Sequence, residues 1–293
     1  VTIDIMMPFY GDPVLLRDAV RSVVRQASDG WHLTVIDDHY PDPEPGRWVE
    51  SLADPNVSYV RNPQNLGVTG NFQRSIELAT ADHVVIMGCD DIMRADYVAK
   101  MRALIDRYPD ASYFQPGVAV IGADGRERMP LADRLKARLR PHTTAPTVLS
   151  GEPLAAGLLR GNWTYFPSIC WRRDRLASYG FREEYGVVLD LALQLDIVLD
   201  GGTLALDDAT TFEYRRHEAS VSSWTATDGT RFAEEAALFA HTAQRCDDMG
   251  WHHAERAARR HWTSRLNAVT RLAAAAAHGD MAGIRSLMKH IVR

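Results

Sequence analysis

Cysteine is scarce in this chain of 293 residues: Cys89, Cys170 and Cys246 stand far apart. They form neither a CxxC pair nor an even-numbered framework, which excludes a zinc knuckle and a secreted disulfide scaffold and fits a reduced, cytosolic setting. Long apolar runs are absent too. The longest alanine tract, residues 273–277, falls far short of the 18 or more residues that a membrane helix needs. At the N-terminus no basic stretch precedes an apolar core, so no signal peptide is read. There is no GxGxxG and no GxxxxGK[ST], which argues against dinucleotide and P-loop sites. Positive charge is not in excess: 33 Lys and Arg face 38 Asp and Glu, for a net charge of -5. That balance gives no footprint for nucleic acid. Internal repeats are also lacking.

What remains is an ordinary globular composition, 46% hydrophobic and 24% charged, which excludes disorder. The first hundred residues alternate two periodicities. Residues 3–7, 33–36, 57–60 and 84–87 are short apolar runs that read as buried strands. Residues 13–26, 69–79 and 96–108 carry apolar residues at helical spacing, the first with Asp12 as N-cap and Pro13 in its first turn. Residues 40–46, rich in Pro and acids, read as a loop. The βαβα rhythm predicts a mostly parallel sheet with helices on both faces. Further on, residues 112–121 look extended and 133–141 read as a basic, mobile loop. Helices are expected at 151–160 and 190–199, with short strands at 169–172, 203–206 and 210–214. From about residue 230 the pattern is wholly helical: 232–249, 251–277 and 281–292. These helices form an extension that packs on the sheet or serves self-association into a homo-oligomer. Their many Arg and His read as a solvated face, with a peripheral position on the inner membrane face as the rival reading.

In parallel sheets ligands bind beyond the carboxyl ends of the strands. Asp37, Asp38, Asp90 and Asp91 all follow strand ends, so the pattern alone puts four carboxylates on one rim. An adjacent pair such as Asp90-Asp91 suits a hard divalent cation that also takes diphosphate oxygens; its bland counterpart is a turn or a helix cap. Asp37-Asp38 can accept from a nucleobase imide or a ribose hydroxyl, or simply begin a loop. The stretch Asn62 to Gly70 opens a helix, and Gly67 and Gly70 allow close backbone approach to an anionic group. Asp190 stands where a helix begins and can serve as a general base, with Asp196 and Asp200 as rivals on the same helix. Tyr214-Arg215-Arg216-His217 ends a strand with groups suited to phosphate and metal. Trp163, Tyr165, Phe166 and Trp171 cluster as either sugar platforms or core.

In order along the chain, these segments resemble glycosyltransferase family 2. The resemblance rests on Met7-Pro8-Phe9-Tyr10, Val35-Ile36-Asp37-Asp38, Asn65-Leu66-Gly67 with Asn71, Met87-Gly88-Cys89-Asp90-Asp91, Asp190 twelve residues before Gly202, and Tyr214-Arg215-Arg216-His217. It covers about residues 1–225. It implies a GT-A (Rossmann-like) α/β fold with a mixed, mostly parallel sheet, followed by a helical extension over 226–293. It implies an inverting, non-processive transfer from a UDP- or dTDP-sugar to the hydroxyl of a glycan, glycolipid or small molecule. Pro8, Tyr10, Asp37, Asp38, Asn65, Gly67, Asn71 and Asp90 would hold the donor nucleotide. Asp91 and His217 would hold Mn2+ or Mg2+, and Asp190 would deprotonate the acceptor, with Trp163 and Tyr165 against it. The family often has a third acid where Gly88 stands and a Glu where Leu189 stands. Those departures leave a second reading, a catalytically weak nucleotide-sugar-binding or assembly subunit. Composition, with much Ala and Arg and little Lys, points to a bacterial source.

Overall fold

The structure, a computed structural model, describes residues 1–182, 184–216 and 230–260. Nine strands form one sheet: β1 (Ile3–Phe9), β2 (Trp31–Asp37), β3 (Val57–Arg61), β4 (His83–Ile86), β5 (Ile92–Met93), β6 (Tyr113–Ile121), β7 (Thr147–Ser150), β8 (Cys170–Arg172) and β9 (Thr203–Arg215). Their order is β3-β2-β1-β4-β8-β6-β9-β5, with β7 also on β9. The first four are parallel neighbours, β8 is antiparallel to both β4 and β6, and β9 returns parallel to β6. Six strands therefore run in one direction and β5, β7 and β8 in the other. This is the mixed, mostly parallel sheet that the βαβα rhythm implies.

Helices cover both faces: α1 (Pro13–Val24), α2 (Glu44–Ser51), α3 (Gly67–Leu78), α4 (Tyr97–Arg107), α5 (Leu131–Leu139), α6 (Gly151–Arg160), α7 (Arg173–Tyr179), α8 (Leu189–Leu199), α9 (Thr230–Asp248) and α10 (His252–Arg260). Strand alternation explains the two cores. Along β1, Met6 joins Ile36, Ile86 and the α6–α8 side. Its neighbours Ile5 and Met7 join Leu33, Val35, Val85 and α1 on the other side. The Asp12 carboxylate caps α1 by accepting from the Val14 N–H at 2.8 Å. α9 and α10 share the first core through Leu238, Phe239, Cys246 and Ala254. Arg245 ties α9 to Asp196 (2.6 Å) and Asp200 (3.0 Å) of α8.

Several elements differ from the sequence expectation, each for a local reason. Residues 44–51 are helical, because Pro45 occupies the first turn, where its missing N–H costs nothing. The expected mobile loop at 133–141 is corrected: α5 stands there, held by one buried acid, Asp133. The two short strands at 203–206 and 210–214 are one, β9, and irregular register opposite Gly117 absorbs the mismatch. α7, β5 and β7 are too short to show a period. No helix among the described residues is long and apolar enough to cross a membrane. His217, with the rest of 217–229 and of 261–293, lies outside the described residues.

Candidate active site

The order β3-β2-β1-β4 reverses the winding of the sheet between β1 and β4. The chain steps from β1 outward to β2 and β3, then returns to the other side of β1. Crevices at such reversals, at the carboxyl ends of the strands, are where ligands lie in open α/β sheets. β1 and β4 pair only as far as Met6 and Ile86, so Pro8, which has no N–H to offer, sits where β1 has lost that neighbour. Tyr10 follows, 56% exposed, with its ring against Tyr40 at 5.6 Å.

The end of β2 is closed by its two acids. Asp37 is fully buried and accepts from the Tyr40 N–H (2.6 Å), the Tyr59 hydroxyl and Arg61 (3.1 Å). Burial, with the bond to Asp37, pushes the Tyr59 phenol up to about 12. Asp38, 2% exposed, accepts from Asn62 Nδ2 (2.9 Å), Leu66 N (2.8 Å) and Gly67 N (2.9 Å). Neither carboxylate faces solvent here, and the pair fixes the loop that leads into α3. Asn71 belongs to the same hydrogen-bonded set. It is buried and bridges Ile36 O (3.1 Å) and Asn62 (3.1 Å). Exposed on this loop are Asn65, whose Oδ1 accepts from Gly67 N at 3.0 Å, and Gly67 itself, at φ +71°, which a side chain would strain.

The end of β4 differs. Gly88 has no Cβ, and the carboxylates of Asp90 and Asp91 fill that space: a Cβ there would stand 2.5 Å from Asp91 Oδ2 and 2.9 Å from Asp90 Oδ1. The two oxygens thus converge on one point, and the missing third acid is what lets them. Asp91 is 1% exposed, and its Oδ1 accepts from the Arg215 backbone N–H at 2.8 Å. Burial first, then the charge of Asp90, holds the Asp91 carboxyl well above the usual carboxylate range. Arg215, 6% exposed, spends its guanidinium on the carbonyls of Asp90 (2.6 Å), Gly122 (3.1 Å) and Ala123 (3.3 Å). It orients the acid pair through the backbone. Two carboxylates, Asp91 buried and Asp90 half-buried, with one oxygen of each aimed at one point, suit a divalent cation with hard oxygen preference.

Asp190 opens α8 and is partly exposed. Its Oδ1 accepts from Leu191 N (2.8 Å) and its Oδ2 from Asn162 Nδ2 (2.9 Å). Asn162 is held in turn by Thr164 (2.6 Å), and Thr164 by Gln194 (3.0 Å). The rival acids are otherwise engaged: Asp196 takes Arg182 (3.2 Å) and Arg245, and Asp200 takes Tyr179 (2.8 Å) and Arg245.

Within residues 162–165 the side chains alternate. Asn162 and Thr164 meet α8, whereas Trp163 and Tyr165 line a cavity of about 220 Å3 under α5 with Val118, Ala137 and Asp208. Trp163 is fully buried and Tyr165 is 8% exposed, so the open sugar platform expected from them is corrected: Trp163 packs in the first core with residues of α6 and α8, and Tyr165 is held by Asp133 of α5. The Tyr165 hydroxyl donates to Asp133 (3.0 Å), and its ring lies 5.2 Å from Tyr214 at the end of β9. A linked set of side chains thus runs from Asp190 through 162–165 to β9 and the Asp90-Asp91 pair. Sequence reading missed Asn162 and Asp133, which no motif flags, and read Arg215 as a group suited to phosphate, whereas its guanidinium is taken by backbone carbonyls.

Residues 4–165 match the family model described as glycosyl transferase family 2. Among curated relatives, the succinoglycan biosynthesis protein ExoO of Rhizobium meliloti is 26% identical over 208 residues, 70% of this chain and 58% of its own. Two others are matched over 12% and 32% of their length, so the chain spans only part of each of these relatives. Among solved structures, S. aureus TarS 1-349 in complex with UDP-GlcNAc superposes with a TM-score of 0.65 at 15% identity, covering 84% of this chain and 70% of that one. The mannosyltransferase PcManGT from Pyrobaculum calidifontis, in complex with GDP-Man and Mn2+, gives 0.59 at 14% identity over 99% and 85%. These likenesses show the GT-A fold. A match over more than half of the sequence, on a sheet wound in this way, means that the chain belongs to glycosyl transferase family 2.

Proposed function

We propose that this protein transfers a sugar from a nucleoside diphosphate to the hydroxyl of a glycan, glycolipid or small molecule, with inversion and without processivity. The observation that carries the reading is the convergence of Asp90 Oδ1 and Asp91 Oδ2 beside Gly88 at the sheet's winding reversal. The nucleotide lies over the tips of β1 and β2, against the exposed Tyr10 ring and the Asn65–Gly67 loop that Asp38 orders. Asp90 and Asp91 hold the cation, Mn2+ or Mg2+, with His217 as a candidate further ligand. When bound, the ion supplies positive charge against the diphosphate that leaves. TarS with UDP-GlcNAc and PcManGT with GDP-Man and Mn2+ support a nucleotide-sugar donor and a divalent ion for this fold.

Asp190 is the base. With Asp196 and Asp200 bound to arginines, it is the acid of α8 left to take a proton. Asn162 fixes its carboxylate while leaving lone pairs for the acceptor. Asp190 takes the hydroxyl proton, the hydroxyl oxygen bonds to the anomeric carbon, and the bond to the diphosphate oxygen breaks on the opposite face. One displacement inverts the centre. The test is calorimetry with UDP, dTDP and GDP, each with and without Mn2+, followed by product analysis for the anomer formed. Binding of one nucleotide that depends on Mn2+ is expected; absence of binding to all three overturns the reading.

A further inference from the structure

α5 is an odd helix. Its first residue, Leu131, is 78% exposed, while its one buried side chain is an acid, Asp133, at 0% exposure. A helix held only for stability would bury its leucine and expose its aspartate. Taking a charge out of water costs several kcal/mol, which a buried pair repays only with good geometry, and an apolar contact of similar volume is often as stable. The geometry here is good. Arg216 donates through Nε (2.7 Å) and Nη2 (2.9 Å) to the two carboxylate oxygens, and Tyr165 adds a third bond at 3.0 Å. Burial draws the Arg216 guanidinium down, but its bonds to the Asp133 carboxylate outweigh that and hold the pKa above its ordinary value. Lys136, one turn on, donates to Thr164 O (2.9 Å) and lies 4.7 Å from the Tyr165 ring centre.

Both partners of Asp133 belong to the site. Arg216 follows Arg215, whose N–H and guanidinium hold Asp91 and Asp90. Tyr165 follows Thr164, which holds Asn162 on Asp190. We propose that Asp133 is a positioning residue: its carboxylate clamps the end of β9 to segment 162–165, and so keeps Arg215 on the Asp90-Asp91 pair. This rests on the proposed reading of that pair as the cation and diphosphate site. A clamp outside the site, released or restored by one bond, sets how firmly the acids are presented without touching the donor.

The test measures UDP affinity with and without Mn2+, together with the melting temperature, for wild type, Asp133→Asn, Arg216→Lys and Arg245→Ala. Asp133→Asn keeps the shape and removes the charge. It should weaken Mn2+-supported UDP binding about 5- to 10-fold and leave metal-free binding unchanged. Arg216→Lys, which keeps charge but loses the fork, should move the same way by less, and it carries the test if Asp133→Asn fails to fold. Arg245→Ala loosens α8 and α9 elsewhere and should lower the melting temperature with UDP affinity unchanged. Wild-type binding that the clamp variants leave intact overturns this proposal alone, as does Arg245→Ala weakening Mn2+-supported binding as much as Asp133→Asn. If the wild type binds GDP or dTDP in place of UDP, the same variants are measured with that nucleotide; a wild type that binds none of the three overturns the proposal and the underlying reading together.

Discussion

Two Asp-Asp pairs end two strands of the same parallel block, and the fold treats them oppositely. Asp37-Asp38 at β2 is saturated: six donors from Tyr40, Tyr59, Arg61, Asn62, Leu66 and Gly67 close on it. Asp90-Asp91 at β4 is pressed together beside Gly88, and burial and the mutual charge hold the Asp91 carboxyl well above the usual carboxylate range. One pair is spread over six donors and orders a loop; the other turns two carboxylate oxygens toward one point, which is the arrangement the proposed cation site uses. The dipeptide alone is uninformative, and its donors decide what it does.

The comparison can be broken by experiment. The largest effect should come from Asp190→Asn, which removes the base that the ordered segment serves: turnover should fall by about 10^2- to 10^4-fold while donor affinity stays. Steady-state kinetics would show this, and retained turnover would pass the role to another acid. Next, Asp91→Ala should weaken Mn2+-supported nucleotide binding by about 100-fold or more, since a direct ligand should cost at least what the loss of an outer-shell partner does, with little change without metal. Asp38→Ala should do the reverse. It strips acceptors from Leu66 N, Gly67 N and Asn62 and should cost about 2–3 kcal/mol in denaturant unfolding, leaving Mn2+ affinity near wild type. Equal behaviour of the two alanine variants would erase the distinction.

The smallest effect concerns the other end of β4. His83 is buried there with both ring nitrogens unpartnered, and burial lowers its pKa below 6.5. The unfolded chain therefore takes up a proton below pH 6.5 that the folded chain resists. Stability is full above pH 6.5 and declines as pH falls toward the lowered folded value. His83→Phe should flatten that part of the stability curve between pH 7 and 5. An unchanged slope would mean that another group sets it.

Much of this was legible from the residues. The alternation in residues 3–108 fixes four strands and three helices because each is long and amphipathic, or apolar enough to be buried on both faces. The rim of acids followed from strand ends alone, and the family from six segments in order. What could not be read is which carboxylates are already answered. Asp38 is quenched by backbone N–H groups 28 and 29 residues away, and no local pattern encodes such a partner. α5 was hidden because its one buried position is charged, the opposite of the periodic signal. Trp163 and Tyr165 were misjudged because an aromatic cluster reads alike as sugar platform or core, and only burial separates the two.

The central claim is best tested by following the free Mn2+ signal in electron paramagnetic resonance as wild type and Asp91→Asn are titrated with UDP present. The account predicts that wild type withdraws one Mn2+ per chain from the free pool and that the variant withdraws far less at the same concentrations. Equal withdrawal by both proteins would contradict it.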